Sequence, residues 1–139
     1  MITRVERFIE IDAGHRVARH ESACRHLHGH RYKLTVTVEG PVKTDNSPEH
    51  GMVIDFGRIK QALQVIHSEW DHRCLIGADD PLGSEISVFP GIVILDRQPT
   101  AENLAAIALE KLSQLLAPLK VVKVTVQETT ACSAEVTSD

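Results

Sequence analysis

Residues 28–39 read His28-Gly29-His30-Arg31-Tyr32-Lys33-Leu34-Thr35-Val36-Thr37-Val38-Glu39. From Tyr32 to Glu39 the apolar side chains Tyr32, Leu34, Val36 and Val38 alternate with Lys33, Thr35, Thr37 and Glu39, the pattern of a strand with one face buried. Gly40-Pro41 ends it. Extended backwards, the same parity puts His28 and His30 on the buried side. Residues two apart in a strand are about 6.6 Å apart and lean the same way. Upstream, Arg4–Asp12 reads as another strand, in which Val5, Ile9 and Ile11 share a parity that His15 continues. If the two strands pair as a hairpin through residues 13–31, three imidazoles meet at one rim of an apolar face. Gly29, without a side chain, allows the backbone to bend between two of them.

Three neutral imidazoles at the mouth of an apolar surface make a three-ligand zinc site with one position open. A lone H-x-H pair is weak evidence, and a single histidine is more often a solvated or satisfied core side chain. Convergence of three by parity favours the metal. A structural zinc would more often be closed by four ligands, and the nearby thiol is Cys24. Cys24 reads as a fourth ligand, a general base or a bystander. His20 and His26 read as solvent-side groups or supports.

Elsewhere the elements follow simple signals. Asp55 caps a helix striped by Ile59, Ala62, Leu63, Ile66 and Trp70, and Asp71-His72 follows its end. A carboxylate beside an imidazole sets its tautomer and raises its basicity, although a helix-end histidine is ordinarily just that. Thr100 caps a second helix striped by Ala101, Leu104, Ala105, Ala108, Leu112 and Leu115, stopping near Pro118. Val121–Glu128 alternates again, and a short last strand falls near Ala134–Thr137. Residues 77–99, rich in Gly, Pro and Asp, hold a strand candidate at Ile92–Leu95. Glu128 continues the parity of Val122, Val124 and Val126, so it is either solvated past the strand's end or a buried carboxylate needing a partner. Strand, strand, helix, helix, strand, strand predicts one α+β domain over residues 1–139: a four-stranded antiparallel sheet with two helices on one face.

Composition bounds the rest. At 139 residues the chain has room for one core, and no apolar run approaches a membrane span. Three scattered cysteines without a C-x-x-C pair fit a reducing compartment, the cytoplasm. Net charge −4 gives no support to nucleic-acid binding. Yet residues 13–33 carry Arg16, Arg19, Arg25, Arg31 and Lys33 against Glu21 alone, together with five of the eight histidines. This basic window is either a solvated loop or a funnel for an anionic ligand.

These residues also coincide with a family. Cys24-Arg25-His26-Leu27-His28-Gly29-His30 resembles the C-x-x-x-H-G-H signature of the 6-pyruvoyltetrahydropterin synthase superfamily. Phe8–His15 is similar to its first strand and first zinc histidine, and Gly51-Met52-Val53-Ile54-Asp55-Phe56 to its G-M-V-x-D-F. Trp70-Asp71-His72 resembles its L-D-H, Pro99-Thr100-Ala101-Glu102-Asn103 its P-T-x-E-N, and Val126-Gln127-Glu128-Thr129 its terminal E-T. The order is the family's along nearly the whole chain. The three-residue gap after Cys24 is that of the bacterial branch forming 6-carboxytetrahydropterin; the pyruvoyl-forming branch has a longer gap, and a folate-linked branch has Glu in place of Cys.

The resemblance implies zinc on His15, His28 and His30, Cys24 as the proton-moving base, and Asp71 with His72 as a coupled acid–base pair. It implies that Glu128 grips the pterin's guanidine-like edge, with backbone at Thr100 and Ala101 completing the pocket. The implied substrate is 7,8-dihydroneopterin triphosphate, with triphosphate and acetaldehyde released on the path to queuosine; Arg16 and Arg25 are our own candidates for drawing in the triphosphate. The implied fold is the T-fold, in which subunits join edge to edge into a barrel, as trimers or hexamers with sites between subunits. Three departures stand out: Ile76 where the motif would end in Asn, Trp70 for Leu, and no aromatic from Thr130 to Asp139. The 77–99 connection is also longer than in compact members. The competing readings are a 6-pyruvoyltetrahydropterin synthase, a zinc- or pterin-binding protein without lyase activity, and a metal-assisted hydratase or hydrolase.

Overall fold

Two 13-residue strands carry the architecture in the computed structural model, which describes residues 1–139. β1 (Thr3–His15) and β2 (His28–Gly40) pair antiparallel along their full length, with Thr3 opposite Gly40 and His15 opposite His28. Both expected strands lie inside these bounds, and both run on to the histidines. β5 (Lys120–Thr129) pairs antiparallel with β2, and β6 (Cys132–Thr137) with β5.

The sheet has six strands, not four, in the order β4-β3-β1-β2-β5-β6. β3 (Cys74–Gly77) lies parallel to β1, and β4 (Ile92–Leu95) parallel to β3, so the sheet is mixed rather than antiparallel. β3 escaped the sequence reading because Leu75 and Ile76 are adjacent and both fully buried, which gives a short apolar run with no alternation. Ile76, one of the departures from the family motif, is thus a core residue of the added strand. The 77–99 connection is longer because it holds β4 and a single-turn helix, α2 (Gly83–Ile86).

α1 (Phe56–Trp70) and α3 (Ala101–Leu115) begin at the expected caps. The Asp55 carboxylate accepts from the Gly57 N–H at 2.7 Å, and the Thr100 hydroxyl from the Asn103 N–H at 3.2 Å. The stripe Ile59, Ala62, Leu63, Ile66 and Trp70 is buried together with Leu104, Ala105, Ala108 and Leu112. It packs onto Ile11, Tyr32, Leu34, Val36, Val38, Val124 and Val126 of the sheet in one cluster. The alternate side chains of β1 and β2 face away from this core, among them Glu6, Glu10 and Lys33, with the Lys33 ammonium 4.2 Å from the centre of the half-exposed Phe8 ring. No helix is long and apolar enough to cross a membrane.

The segment between β2 and α1 is pinned by Glu49. Its carboxylate takes the Lys43 ammonium at 2.5 Å, the Asp55 N–H at 2.6 Å and the Arg58 guanidinium at 2.7 Å. The Lys43 contact first, then the Asp55 N–H and Arg58, hold its pKa down to about 2 from an ordinary 4.5. A depressed carboxylate stabilises the fold above its unfolded pKa and loses that contribution as pH falls through the folded value. The stability gap between the native protein and Glu49→Gln should therefore close between about pH 4.5 and 2, as measured by urea melts across that range. In the core, Leu63→Ala should cost about 2–5 kcal/mol in the same melts at neutral pH, because the fully buried side chain leaves a cavity.

Candidate metal centre

The register of β1 against β2 builds the centre. His15 faces His28 directly, and His30 lies opposite Ala13. The parity that keeps Ile11 and Ala13 inward on β1, and Tyr32 and Leu34 inward on β2, turns all three imidazoles to the core side. One ligand nitrogen from each lies within 4.8 Å of the others. The rings stand edge to face, with centroids 4.6–5.1 Å apart, and the Tyr32 ring packs edge-on to His15 and His30. His15 is fully buried, and β3 runs beside it with Leu75 as its partner.

Hydrogen bonds decide which nitrogens are bare. His15 Nδ1 donates to the Pro99 carbonyl at 2.7 Å, and His28 Nδ1 donates to the His26 carbonyl at 2.7 Å. A carbonyl only accepts, so each Nδ1 carries the proton and each Nε2 is a lone pair. Those two Nε2 atoms face each other at 3.0 Å. His30 Nε2 is buried and has no hydrogen-bond partner. Lone pairs at this distance repel unless a cation lies between them. A shared proton is disfavoured at His15, because burial pushes its pKa down despite the Pro99 carbonyl. A divalent ion fits: bonds of about 2.0–2.1 Å at tetrahedral angles place ligand nitrogens about 3.3 Å apart. The residues therefore suit a metal with three histidine ligands, and Cys24 is not part of the cluster.

Gly29 does a different job from the one its freedom suggested. It stands opposite Gly14 in a regular ladder, and a Cβ on Gly29 would lie 3.2 Å from the Ala13 carbonyl. On Gly14 it would lie 3.3 Å from the His28 carbonyl and 3.4 Å from Cys74 Sγ. The glycines permit close approach of the strands beneath the histidines rather than a bend.

Asp71 and His72 do not join the cluster. Asp71 caps α1, and its carboxylate accepts from the Asp12 N–H at 3.0 Å and from His72 Nδ1–H at 2.6 Å. Burial raises the Asp71 pKa, but these two bonds outweigh it and leave the carboxyl below its usual range. The same bond to Asp71 lifts the His72 imidazole above its ordinary value. His72 has a left-handed backbone (φ 57°), held by its N–H on the Asp12 carbonyl at 2.7 Å. Its ring is mostly exposed, and it borders an open depression of about 550 Å³ with Asp12, Arg31, Arg73 and Gly91.

β5 runs past Glu128, which is not a solvated strand end. Its side chain is three-quarters covered, with Oε1 3.6 Å from His30 Nε2. Cys24 is half-buried on a single 3₁₀ turn, Ala23–Arg25. Thr100 is committed within the chain: its hydroxyl caps α3, its N–H donates to the Gln98 carbonyl and its carbonyl accepts from Leu104. The neighbouring Ala101 N–H, in the first turn of α3, has no partner in the chain.

The basic window is not free either. Arg16 makes a two-pronged pair with the buried Asp80 at 2.6 Å on each prong, and Arg31 pairs with Asp12. Arg16 is therefore withdrawn from the anion-attracting role expected for it, whereas Arg25 is exposed. His20 and His26 are exposed as expected, and His26 supports His28 through its backbone. Sequence reasoning missed Pro99, Asp12 and Asp80. Pro99 acts through its carbonyl, and Asp12 holds Asp71 and His72 through its backbone while its carboxylate pairs with Arg31; Asp80 lay in a stretch read as a loop.

Comparison with known proteins gives the chain's family and fold relatives. The family model described as 6-pyruvoyl tetrahydropterin synthase matches residues 4–139. The 6-carboxy-5,6,7,8-tetrahydropterin synthase of Rickettsia bellii is 41% identical over 103 residues, covering 71% of this chain and 72% of that protein. The probable 6-carboxy-5,6,7,8-tetrahydropterin synthase of Halobacterium salinarum is 35% identical over 133 residues, covering 93% and 83%. Among solved structures, an uncharacterised protein from Wolinella succinogenes superposes with a TM-score of 0.87 at 25% identity, covering 100% of this chain and 99% of that one. The 6-pyruvoyl tetrahydropterin synthase of Caenorhabditis elegans shares the fold, with a TM-score of 0.72 at 24% identity and coverage of 100% and 97%.

Metal binding should be directly measurable. Titration with Co(II) should give one equivalent per chain with the intense visible bands of a four-coordinate ion. His30→Ala should weaken binding by about two orders of magnitude or more while the far-ultraviolet circular dichroism holds.

Proposed function

This chain belongs to the 6-pyruvoyl tetrahydropterin synthase family and is a lyase of that family, and we propose that it forms 6-carboxy-5,6,7,8-tetrahydropterin from 7,8-dihydroneopterin triphosphate, releasing acetaldehyde and triphosphate. The product would feed queuosine synthesis. The observation that carries the proposal is the cluster of three imidazole nitrogens on the two strands that the Cys24 loop connects. The spacing Cys24-x-x-x-His28-Gly29-His30 and the names of the relatives favour the carboxy-forming branch over the pyruvoyl-forming runner-up.

The proposed cofactor is zinc, held by His15, His28 and His30; when bound it polarises side-chain hydroxyls of the substrate so that neighbouring protons become removable near neutral pH. The chain's own residues do the rest. Pro99 and His26 keep the ligand imidazoles in the tautomer that presents Nε2. Cys24 takes a proton from the substrate side chain as triphosphate leaves. His72, its Nδ1 proton held on Asp71, offers Nε2 for the coupled proton transfer. Glu128 accepts two adjacent N–H donors from the pterin edge, a charge-assisted pair that satisfies its covered carboxylate. Ala101 supplies its unpartnered N–H at the pocket wall, beside Thr100.

The placement of Asp71 and His72 outside the cluster supports a site completed by a second copy. β4 and β6 leave both edges of the sheet free, and such edges invite pairing between chains. We therefore assign a homo-oligomer built as a barrel, a trimer or hexamer, with the soluble substrate as its partner and the cytoplasm as its compartment.

Incubation of the zinc-loaded protein with 7,8-dihydroneopterin triphosphate, with products identified by mass, tests the reading. Equal amounts of 6-carboxytetrahydropterin and acetaldehyde are expected; a 6-pyruvoyl product would select the runner-up, and bound but unconverted pterin a binding protein. Cys24→Ala should lower kcat by about 10²–10⁴-fold with the metal retained. A native rate in Cys24→Ala, lost in His28→Ala, would point instead to a metal-assisted hydratase or hydrolase.

A further inference from the structure

The Cys24 loop, residues 16–27, leaves β1 immediately after His15 and returns to β2 at His28. Most of its hydrogen bonds are internal. The Val17 N–H donates to the Cys24 carbonyl at 2.9 Å, the His20 N–H to the Val17 carbonyl at 2.9 Å, and the His26 N–H to the Ala23 carbonyl at 3.0 Å. Ser22 N–H donates to His20 Nδ1 at 3.0 Å, and the Arg25 guanidinium to the Glu21 carbonyl at 3.0 Å. These bonds shape the loop, and its tie to the sheet is the His28 Nδ1–H bond to the His26 carbonyl where it rejoins β2.

Arg16 fastens it. Its Nε and Nη2 donate to the two Asp80 oxygens at 2.6 Å each, and its Nη1 donates to the Arg25 carbonyl, next to Cys24, at 3.2 Å. The Arg16 side chain is 12% exposed and that of Asp80 2%. Asp80 is itself anchored at the end of β3: its N–H donates to the Gly77 carbonyl at 3.0 Å, and its carboxylate accepts from the Leu82 N–H at 2.8 Å. The other ion pair between this loop and the 77–99 connection, Arg19 with Asp79 at 3.6 Å, is open to solvent on both sides and contributes little.

We propose that Asp80, acting through Arg16, is a positioning residue that sets Cys24 over the three-histidine centre. The guanidinium is a rigid planar fork. With two prongs held on a buried carboxylate, its plane is fixed and the third nitrogen points at the Arg25 carbonyl. Without the carboxylate, the fork loses its buried partner and turns toward water. The Arg25 carbonyl then loses its donor, and the turn carrying Cys24 keeps only its internal bonds. The extended 77–99 connection thereby gains a role in the reaction, although none of it lies in the three-histidine cluster. This inference rests on the reading of Cys24 as the proton-moving group.

The test uses the zinc-loaded protein and the variants Asp80→Asn and Arg16→Lys. Lysine still pairs with Asp80 but cannot also fork onto the Arg25 carbonyl, so it separates pairing from positioning. Both variants should keep one metal per chain and a KM within about twofold of the native value, while kcat falls by about 100-fold, the scale of a roughly 1 Å misplacement. The rate of Cys24 alkylation by iodoacetamide, followed by peptide mass spectrometry because Cys74 and Cys132 are also free, should change several-fold in parallel. Native kcat and native Cys24 alkylation in Arg16→Lys would overturn the proposal, as would an alkylation change with kcat intact. Loss of metal or folding in Asp80→Asn, with Arg16→Lys native throughout, would assign the pair to stability alone. A native rate in Cys24→Ala would instead remove the underlying reading while leaving the alkylation result to stand on its own.

Discussion

Two unprotonated imidazole nitrogens face each other at 3.0 Å, each with its other nitrogen committed to a backbone carbonyl. A cation between them would relieve that repulsion, and the surroundings hold the three rings where one could sit. The β1–β2 register sets His15 against His28, and the Gly14–Gly29 pair lets the strands close beneath them. The start of α3 brings the Pro99 carbonyl to His15, and β3 covers its flank. Helix caps, register and glycine placement are therefore parts of one requirement at one end of the sheet.

Electrostatics at that end are arranged by distant parts of the chain. The basic residues around the histidines form no free patch, because Asp80, Asp79 and Asp12 meet Arg16, Arg19 and Arg31. What is left exposed is selective: Arg25 on the loop, and Arg73 and His72 around the open depression, while Glu128 beside His30 is mostly covered. A charge count along the sequence sees the arginines but not their partners, which lie up to 64 residues away.

The parts legible in the sequence were those governed by local periodicity. Alternation placed β2 and the inward side of its histidines, and the Asp55 and Thr100 caps started the two long helices where their side-chain chemistry demands. The convergence of His15, His28 and His30 followed from parity plus one assumption, that the two strands pair. What stayed hidden depends on tertiary partners. β3 has too few residues to show a period, and its parallel pairing is decided by the free edge of β1. Pro99 holds His15, and Asp12 holds Asp71 and His72, through main-chain atoms common to every residue. Asp80 looked like a loop carboxylate until folding buried it against Arg16.

The most direct measurement is anomalous X-ray scattering at the zinc edge from crystals of zinc-replete protein. A single strong peak per chain, about 2.0–2.1 Å from Nε2 of His15, His28 and His30, is the result required here. Well-ordered rings with no peak between them, or a peak held by other residues, would contradict the metal centre and the chemistry assigned to it.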